Sequence, residues 1–324
     1  MKCRRCRGPA VIELRRHNAG FCGDCFLHHT REQVKKAIHE FDMIQPGERV
    51  LVAVSGGKDS LGLWHLLREL GYDADGLYIG LGIGEYSDES GRYARDFATK
   101  IGGKLIEVDL PADYGFDVPD GARVAKRSPC SACGLSKRHI FNETAITHGY
   151  DVLATGHNLD DEAAVLFGNV LRWETSYLGR QHPALPAAPG FVRKVKPLVR
   201  LGERELAAYC VLMNIDYIVE ECPQAAGNKH LGYKEVLNAI EERSPGAKAT
   251  FFLRFVERAH ERFADEAAAE RDELSPCAQC GAPTPGETRA DAAEPRTAQR
   301  GSQPVCAFCR LRNRATRIPL RVEP

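Results

Sequence analysis

Ten of the twelve cysteines fall into five Cys-x-x-Cys pairs: Cys3/Cys6, Cys22/Cys25, Cys130/Cys133, Cys277/Cys280 and Cys306/Cys309. Each pair can present two thiolates to one metal ion, and a structural zinc site takes four ligands. Cys3-x2-Cys6-x15-Cys22-x2-Cys25 has the spacing of a closed four-thiolate site, and Cys277-x2-Cys280-x25-Cys306-x2-Cys309 repeats the plan around a longer loop. A complete shell leaves no open position, so both predict structural zinc ribbons. The N-terminal ribbon is too short to bury a useful core, so its metal must supply the folding energy. Cys130/Cys133 has no partner pair. It opens a predicted helix over 131–148, where the helix N-terminus, with Lys137 and Arg138 one turn on, favours thiolate. The lone Cys222 follows a predicted strand over 216–219. Three thiolates make an iron–sulfur site with one iron left open, able to hold sulfide or a substrate atom. A third zinc site, inert thiols, or a persulfide carried on Cys130 or Cys222 are the alternatives these residues allow. Cys210, on an apolar helix face with Leu206 and Met213, reads as core.

The second chemical signal is Ser55-Gly56-Gly57-Lys58-Asp59-Ser60. Glycines let a backbone approach an anion closely, and the first N–H groups of a following helix point at it. Lys58 adds positive charge and Ser55 and Ser60 add hydroxyls. The loop is shorter than the Gly-x-x-x-x-Gly-Lys-Ser/Thr loop of hydrolytic NTPases. It resembles the pyrophosphate loop of the PP-loop ATPases, which split ATP between the α and β phosphates. Farther on, Ala154-Thr155-Gly156-His157-Asn158-Leu159-Asp160-Asp161 closes a strand and opens a helix. Gly156 is predicted to admit a nucleotide, and Asp161 to meet Mg²⁺ or a substrate proton. By themselves the two aspartates would more often be helix-start carboxylates complementing the dipole; beside the phosphate loop the nucleotide reading is preferred.

These residues need a scaffold that gathers strand ends. The apolar run 49–55 fits a buried parallel strand, and strands are also predicted over 76–81, 104–110, 151–155 and 216–219. Helices are predicted over 30–41 with Thr30 as cap, 59–70, 87–101, 131–148, 159–172 and 203–213. The alternation predicts an α/β domain with a parallel sheet, whose ligands bind at the carboxyl ends of strands. Residues 232–270 read as helical, with Phe251, Phe252, Phe255 and Val256 facing a core. Residues 282–304 are rich in Pro, Gly and charge and read as a loop. The predicted organisation is a ribbon over 1–30, a linker helix over 31–46, the ATP-binding domain over 47–270, and a second ribbon with a basic tail over 271–324.

Composition sets outer limits. With 44 basic and 44 acidic residues the chain of 324 is not a polycation. Its ends are basic, however: residues 1–36 hold nine Lys/Arg against Glu13, Asp24 and Glu32, and 310–324 hold five Arg against one Glu. Such ends permit contact with phosphate backbones, as well as being ordinary solvated surface. No apolar run approaches the length of a membrane span, so no membrane partner is expected. No apolar signal core opens the chain, and cysteine-rich chemistry without disulfides fits the cytosol.

Taken together, the two ribbons, the Ser-Gly-Gly-Lys-Asp-Ser loop, the central Cys-x-x-Cys and the later lone cysteine resemble the tRNA 2-thiouridine synthetases of the TtuA type, over residues 1–315. The resemblance implies that Ser55, Gly56, Gly57, Lys58, Asp59 and Ser60 hold ATP and that the backbones of Ala53 and Ile79 hold its adenine. It makes Gly156 and Asp161 the second nucleotide element and Lys137 a catalytic lysine, with Asp59 and Asp161 also in catalytic roles. It implies that Cys130, Cys133 and Cys222 ligate an oxygen-sensitive [4Fe-4S] cluster. The cofactors implied are ATP, Mg²⁺, two Zn²⁺ and that cluster. The partners implied are tRNA and a ubiquitin-like sulfur carrier with a C-terminal thiocarboxylate, for which sulfide can substitute; a homodimer would be ordinary. The chain departs from the pattern in the long spacer between Cys280 and Cys306. The reaction expected is adenylation of uracil O2 followed by replacement with sulfur. The rivals are a persulfide-dependent thiolase of the 2-thiocytidine type and a zinc-ribbon RNA-binding protein with a regulatory ATP site. An amidating PP-loop ligase is disfavoured, since no glutaminase-sized module remains.

Overall fold

The computed structural model describes residues 1–225, 229–269, 274–285 and 304–316. Most of the predicted spacer after Cys280, part of the segment after Cys222 and the end of the basic tail lie outside the described residues.

The chain begins with a small hairpin, β1 (Ile12–Leu14) and β2 (Ala19–Phe21), which runs directly into α1 (Gly23–Glu40). The helix starts well before the predicted Thr30. Cys22 is its N-cap, and Thr30 is buried mid-helix with its hydroxyl donating to the Phe26 carbonyl at 3.0 Å. A buried hydroxyl satisfied by its own helix needs no cap position. Phe26, Val34, Ala37 and Ile38 form the buried stripe that docks α1 on the main domain.

That domain alternates strands and helices: β3 (Arg49–Val54), α2 (Lys58–Glu69), β4 (Asp73–Gly80), α3 (Gly84–Ile101), β5 (Leu105–Asp109), α4 (Leu110–Tyr114), α5 (Val118–Ala125), α6 (Pro129–Thr147), β6 (Val152–Thr155), α7 (Leu159–Arg172), α8 (Thr175–Leu178), β7 (Ala184–Leu185), β8 (Arg193–Val195) and α9 (Glu203–Leu212). The sheet order is β5-β4-β3-β6-β8-β7, parallel except for β7. The predicted strand over 216–219 is not in it. That segment instead crosses the phosphate loop, with the Ile218 N–H donating to the Gly56 carbonyl at 3.0 Å. β8 takes the place in the sheet. Its Arg-Lys-Val sequence carries no apolar run to announce it.

Alternation along the buried strands splits the core in two. Val50, Val52 and Val54 face one cluster with Trp64, Leu67 and Tyr209, while Leu51, Leu77 and Leu153 face the other with Ile140 and Phe308. Three further helices, α10 (Lys229–Arg243), α11 (Ala247–Arg258) and α12 (His260–Ala269), cover α7 and α8. Of the predicted aromatic stripe, Phe252 is fully buried and Phe251, Phe255 and Val256 pack against the core. The last described pieces are β9 (Leu274–Pro276), β10 (Pro283–Pro285) and α13 (Ala307–Ala315). α13 lies on α5 and α6, with the Phe308 ring stacked on His139 at 4.0 Å.

Candidate active site at the strand ends

The loop between β3 and α2 has the shape the motif requires. Gly56 adopts φ +75°, and a Cβ there would stand 2.3 Å from the Ser90 carbonyl oxygen, so only glycine fits. Ser60 Oγ donates to the Gly57 carbonyl at 2.9 Å and accepts from the Ser55 N–H at 3.0 Å, closing the loop on itself. Gly57 is the N-cap of α2, and it makes no side-chain cap. The first N–H groups of the helix are thus left for an anion.

Gly156 has a nearer reason to be glycine than room for a ligand: a Cβ would meet the Asp59 carbonyl carbon and the Ser60 nitrogen at 3.0 Å. The two loops are packed backbone to backbone. Asn158 caps α7, accepting from the Asp160 and Asp161 N–H groups at 2.9 and 3.2 Å, while the Asp161 carboxylate accepts from the Asn158 N–H at 3.0 Å. This reciprocal cap fixes Asp161 beside the phosphate loop.

A chain of ion pairs links both loops. Lys58 pairs with Asp59 at 3.3 Å and Glu203 at 2.8 Å, and Lys234 pairs with Asp161 at 2.6 Å and Glu203 at 3.3 Å. Burial works against the Lys58 charge, yet Asp59 and Glu203 outweigh it and raise its pKa. Burial pushes Asp59 up to about 6, with Lys58 opposing and Asp161 adding to the rise. Glu203 is held low because its two lysines outweigh its burial. Sequence reasoning missed Glu203 and Lys234, both of which lie on helices assigned to the core. Glu203 opens its helix in a Glu-Arg-Glu run, a weak signal, whereas Lys234 lies within its helix and carries none. A cleft of about 770 Å³ opens on this network, walled by the phosphate loop, the start of α9 and the end of the N-terminal hairpin at Glu13–Arg16.

A second, smaller cleft lies across β3 from the first. Ala53, Ser55, Ile79, Tyr86 and Lys137 line it together. The residues predicted for adenine and the predicted catalytic lysine therefore share one wall. α6 supplies that lysine, and its first turn carries Cys130 and Cys133 behind the Ser128 cap. Cys130 Sγ lies 3.5 Å from the carbonyl of Gln224, two residues beyond Cys222. Burial raises the Cys133 pKa, with Lys137 opposing and the Cys222 and Cys130 charges adding to it. The expected lowering is thus reversed at Cys133: desolvation outweighs the helix end and the lysine. The three thiols converge on one neighbourhood, but among the described residues they do not reach the mutual 4.8 Å closeness of the two outer sets.

The outer sets are tight. Cys3, Cys6, Cys22 and Cys25 gather their sulfurs within 4.8 Å, as do Cys277, Cys280, Cys306 and Cys309. Backbone N–H groups of Cys6 and Cys22 lower the Cys3 thiol to about 6. The Cys306 and Gln279 N–H groups overcome burial to bring Cys277 to about 6 as well. Both donor sets suit zinc, with four sulfurs and a thiolate-ready member in each. Cys210 is buried core as predicted, with Sγ 3.4 Å from the Lys58 carbonyl.

Residues 27–227 match the family described as "PP-loop domain", and residues 2–27 match "2-thiouridine synthetase TtuA, N-terminal LIM domain". The chain is 47% identical over 311 residues to a tRNA-5-methyluridine(54) 2-sulfurtransferase of Thermus thermophilus, covering 96% of this chain and 91% of that protein. The chain belongs to the TtuA-type tRNA 2-sulfurtransferases of the PP-loop family. It is an ATP-dependent enzyme of that class. A tRNA-5-methyluridine(54) 2-sulfurtransferase of Pyrococcus horikoshii is 38% identical, over 96% of this chain and 93% of its own. Among solved structures, the U34-tRNA thiolase NcsA from Methanococcus maripaludis with its [4Fe-4S] cluster is 25% identical. It superposes with a TM-score of 0.72, over 87% of this chain and 92% of that one.

Proposed function

We propose that this enzyme replaces the C2 oxygen of 5-methyluridine 54 of tRNA with sulfur. The position follows the names of its relatives. The observation that carries the mechanism is α6, which lends Lys137 to the cleft of Ala53 and Ile79 and Cys130 and Cys133 to the thiol trio one or two turns away.

In this reading ATP lays its adenine against Ala53 and Ile79 and its phosphates on the Gly56–Ser60 loop. Lys58 exchanges Glu203 for phosphate. Uracil O2 attacks the α-phosphorus, an O2–P bond forms, and the bond from Pα to the bridging oxygen breaks to release pyrophosphate. The loop N–H groups and Lys58 take up the charge on the departing group, and Asp161 and Asp59 would hold its Mg²⁺. Lys137 faces the α-phosphate side and balances the adenylate's charge. A sulfur nucleophile then adds at C2, and AMP leaves with the former O2. Cys130, Cys133 and Cys222 would hold a [4Fe-4S] cluster, which supplies an iron without a protein ligand as a place to keep sulfide. Sulfide reaches the site from a ubiquitin-like thiocarboxylate carrier. Zinc closes the two outer cysteine sets.

The test is an anaerobic assay with the reconstituted enzyme, tRNA, ATP and sulfide, followed by nucleoside mass spectrometry. The expected result is 2-thio-5-methyluridine at position 54 with one AMP per sulfur. Thiolation mapped to another position would overturn the assignment of the target, and AMP formed without tRNA would overturn the order of steps.

A further inference from the structure

Several half-buried cations have direct partners among the described residues: Lys196 on Glu162 at 2.7 Å, Arg193 on Glu48 at 2.6 Å, Lys234 on Asp161 at 2.6 Å. Lys194 differs. Among the described residues its amine makes no hydrogen bond or ion pair. It stands opposite Leu153 of β6, and Leu153 belongs to the cluster under α6, so Lys194 faces α6. Asn142 of α6 holds the approach to β8, donating to the Gly190 carbonyl at 2.7 Å and accepting from the Val192 N–H at 3.2 Å. One turn earlier on the same face is Arg138, also without a direct partner among the described residues. Its guanidinium folds back over Gly134, where a Cβ would stand 3.1 Å from Nη1.

Burial first, then the charges of Lys196 and Arg138, bring Lys194 down to about 8, and only the Glu162 charge opposes them. Glu162 is already committed to Lys196 and to the Gln181 amide at 2.9 Å. A half-buried ammonium beside two other cations costs stability unless an anion joins it. We propose that Lys194 and Arg138 form a phosphate subsite beside the thiol trio that takes a backbone phosphate of the substrate RNA next to the reacting uridine. The inference rests on the tRNA reading above. The same chemistry would suit a nucleotide phosphate, but β6 separates β8 from the phosphate-loop strand, which puts Lys194 two strand spacings, ~10 Å, to the side. Pro283 of the C-terminal ribbon seats against Gly190, just before β8.

The experiment measures equilibrium tRNA binding by the full-length reconstituted enzyme across a salt series, with ATP binding in parallel, for wild type, Lys194→Gln and Lys194→Arg. Lys194→Gln should weaken tRNA binding roughly tenfold and flatten the dependence of log Kd on log salt by about 0.7–0.9. Lys194→Arg should restore both, and ATP affinity should not move. A Gln variant with the wild-type salt slope and tRNA affinity overturns the subsite while wild-type thiolation still supports the tRNA reading. Loss of ATP affinity with an unchanged salt slope also overturns it, assigning the cation to the nucleotide. A wild-type enzyme that neither binds nor thiolates tRNA removes the reading on which the subsite rests.

Discussion

Asp59 sits where burial and function pull apart. Its carboxyl is raised to about 6, chiefly by burial. Because the folded pKa lies above the unfolded one, this group favours the fold fully only below about 4, and that contribution is lost as pH rises through about 6. Asp59→Asn should therefore raise the thermal midpoint of the magnesium-free protein at pH 8, with the gain shrinking as pH falls through 6. A lower midpoint than wild type at pH 8 would contradict the burial argument. The same variant should slow tRNA-dependent AMP release by about 10²–10³. The loop residues were legible because glycine and lysine in that order after an apolar strand have few other uses. Glu203, Lys234 and Lys194 were not, because a charged residue in isolation reads as surface, and only the fold turns it inward.

Among the elements, the strand–loop–helix unit of β3 and α2 is the most constrained. Gly56→Ala would force a Cβ onto the Ser90 carbonyl and an L-residue into positive φ. It should cost about 1–3 kcal/mol in urea unfolding and abolish measurable ATP binding. Near-normal nucleotide affinity in a folded Ala variant would show that the loop is not the phosphate cradle. The α7 bounds, Leu159–Arg172, agree with the expectation because Asn158 and Asp161 sign the cap and Arg172 the end. The α1 start and the missing strand at 216–219 show the limit. Cys22 caps α1 without being a preferred capping residue, and the 216–219 segment is claimed by the phosphate loop instead of the sheet.

Across the whole molecule, the ribbons are fastened to the catalytic domain by different means. At the N-terminal one, Arg16 donates to both Glu205 oxygens at 2.9 and 2.7 Å and to the Arg200 carbonyl at 2.7 Å. Glu205 is only 5% exposed. Arg16→Ala should cost about 3–5 kcal/mol by stranding a buried carboxylate, and adding Glu205→Gln should return part of it; chemical denaturation of the three variants reads this directly. The C-terminal ribbon instead packs α13 through Phe308 and Leu311 onto the domain's second core. Cys306→Ser, which touches none of the three central thiols, should lower iron retained per chain after anaerobic reconstitution. Full iron content in that variant would mean that α6 holds its shape unaided. The sequence by itself determined the parallel α/β class, the phosphate loop and the sorting of cysteines into two complete sets and one incomplete one, since each rests on local spacing and backbone conformation. Tertiary structure alone decided that Lys137 shares a wall with Ala53 and Ile79, that Cys222 comes to Cys130 and Cys133 without a strand to carry it, and that Lys194, without a direct partner among the described residues, comes near Arg138. Those are contacts between segments far apart in the chain, and they depend on how the sheet orders its strands and on which buried charges are left without a counter-charge.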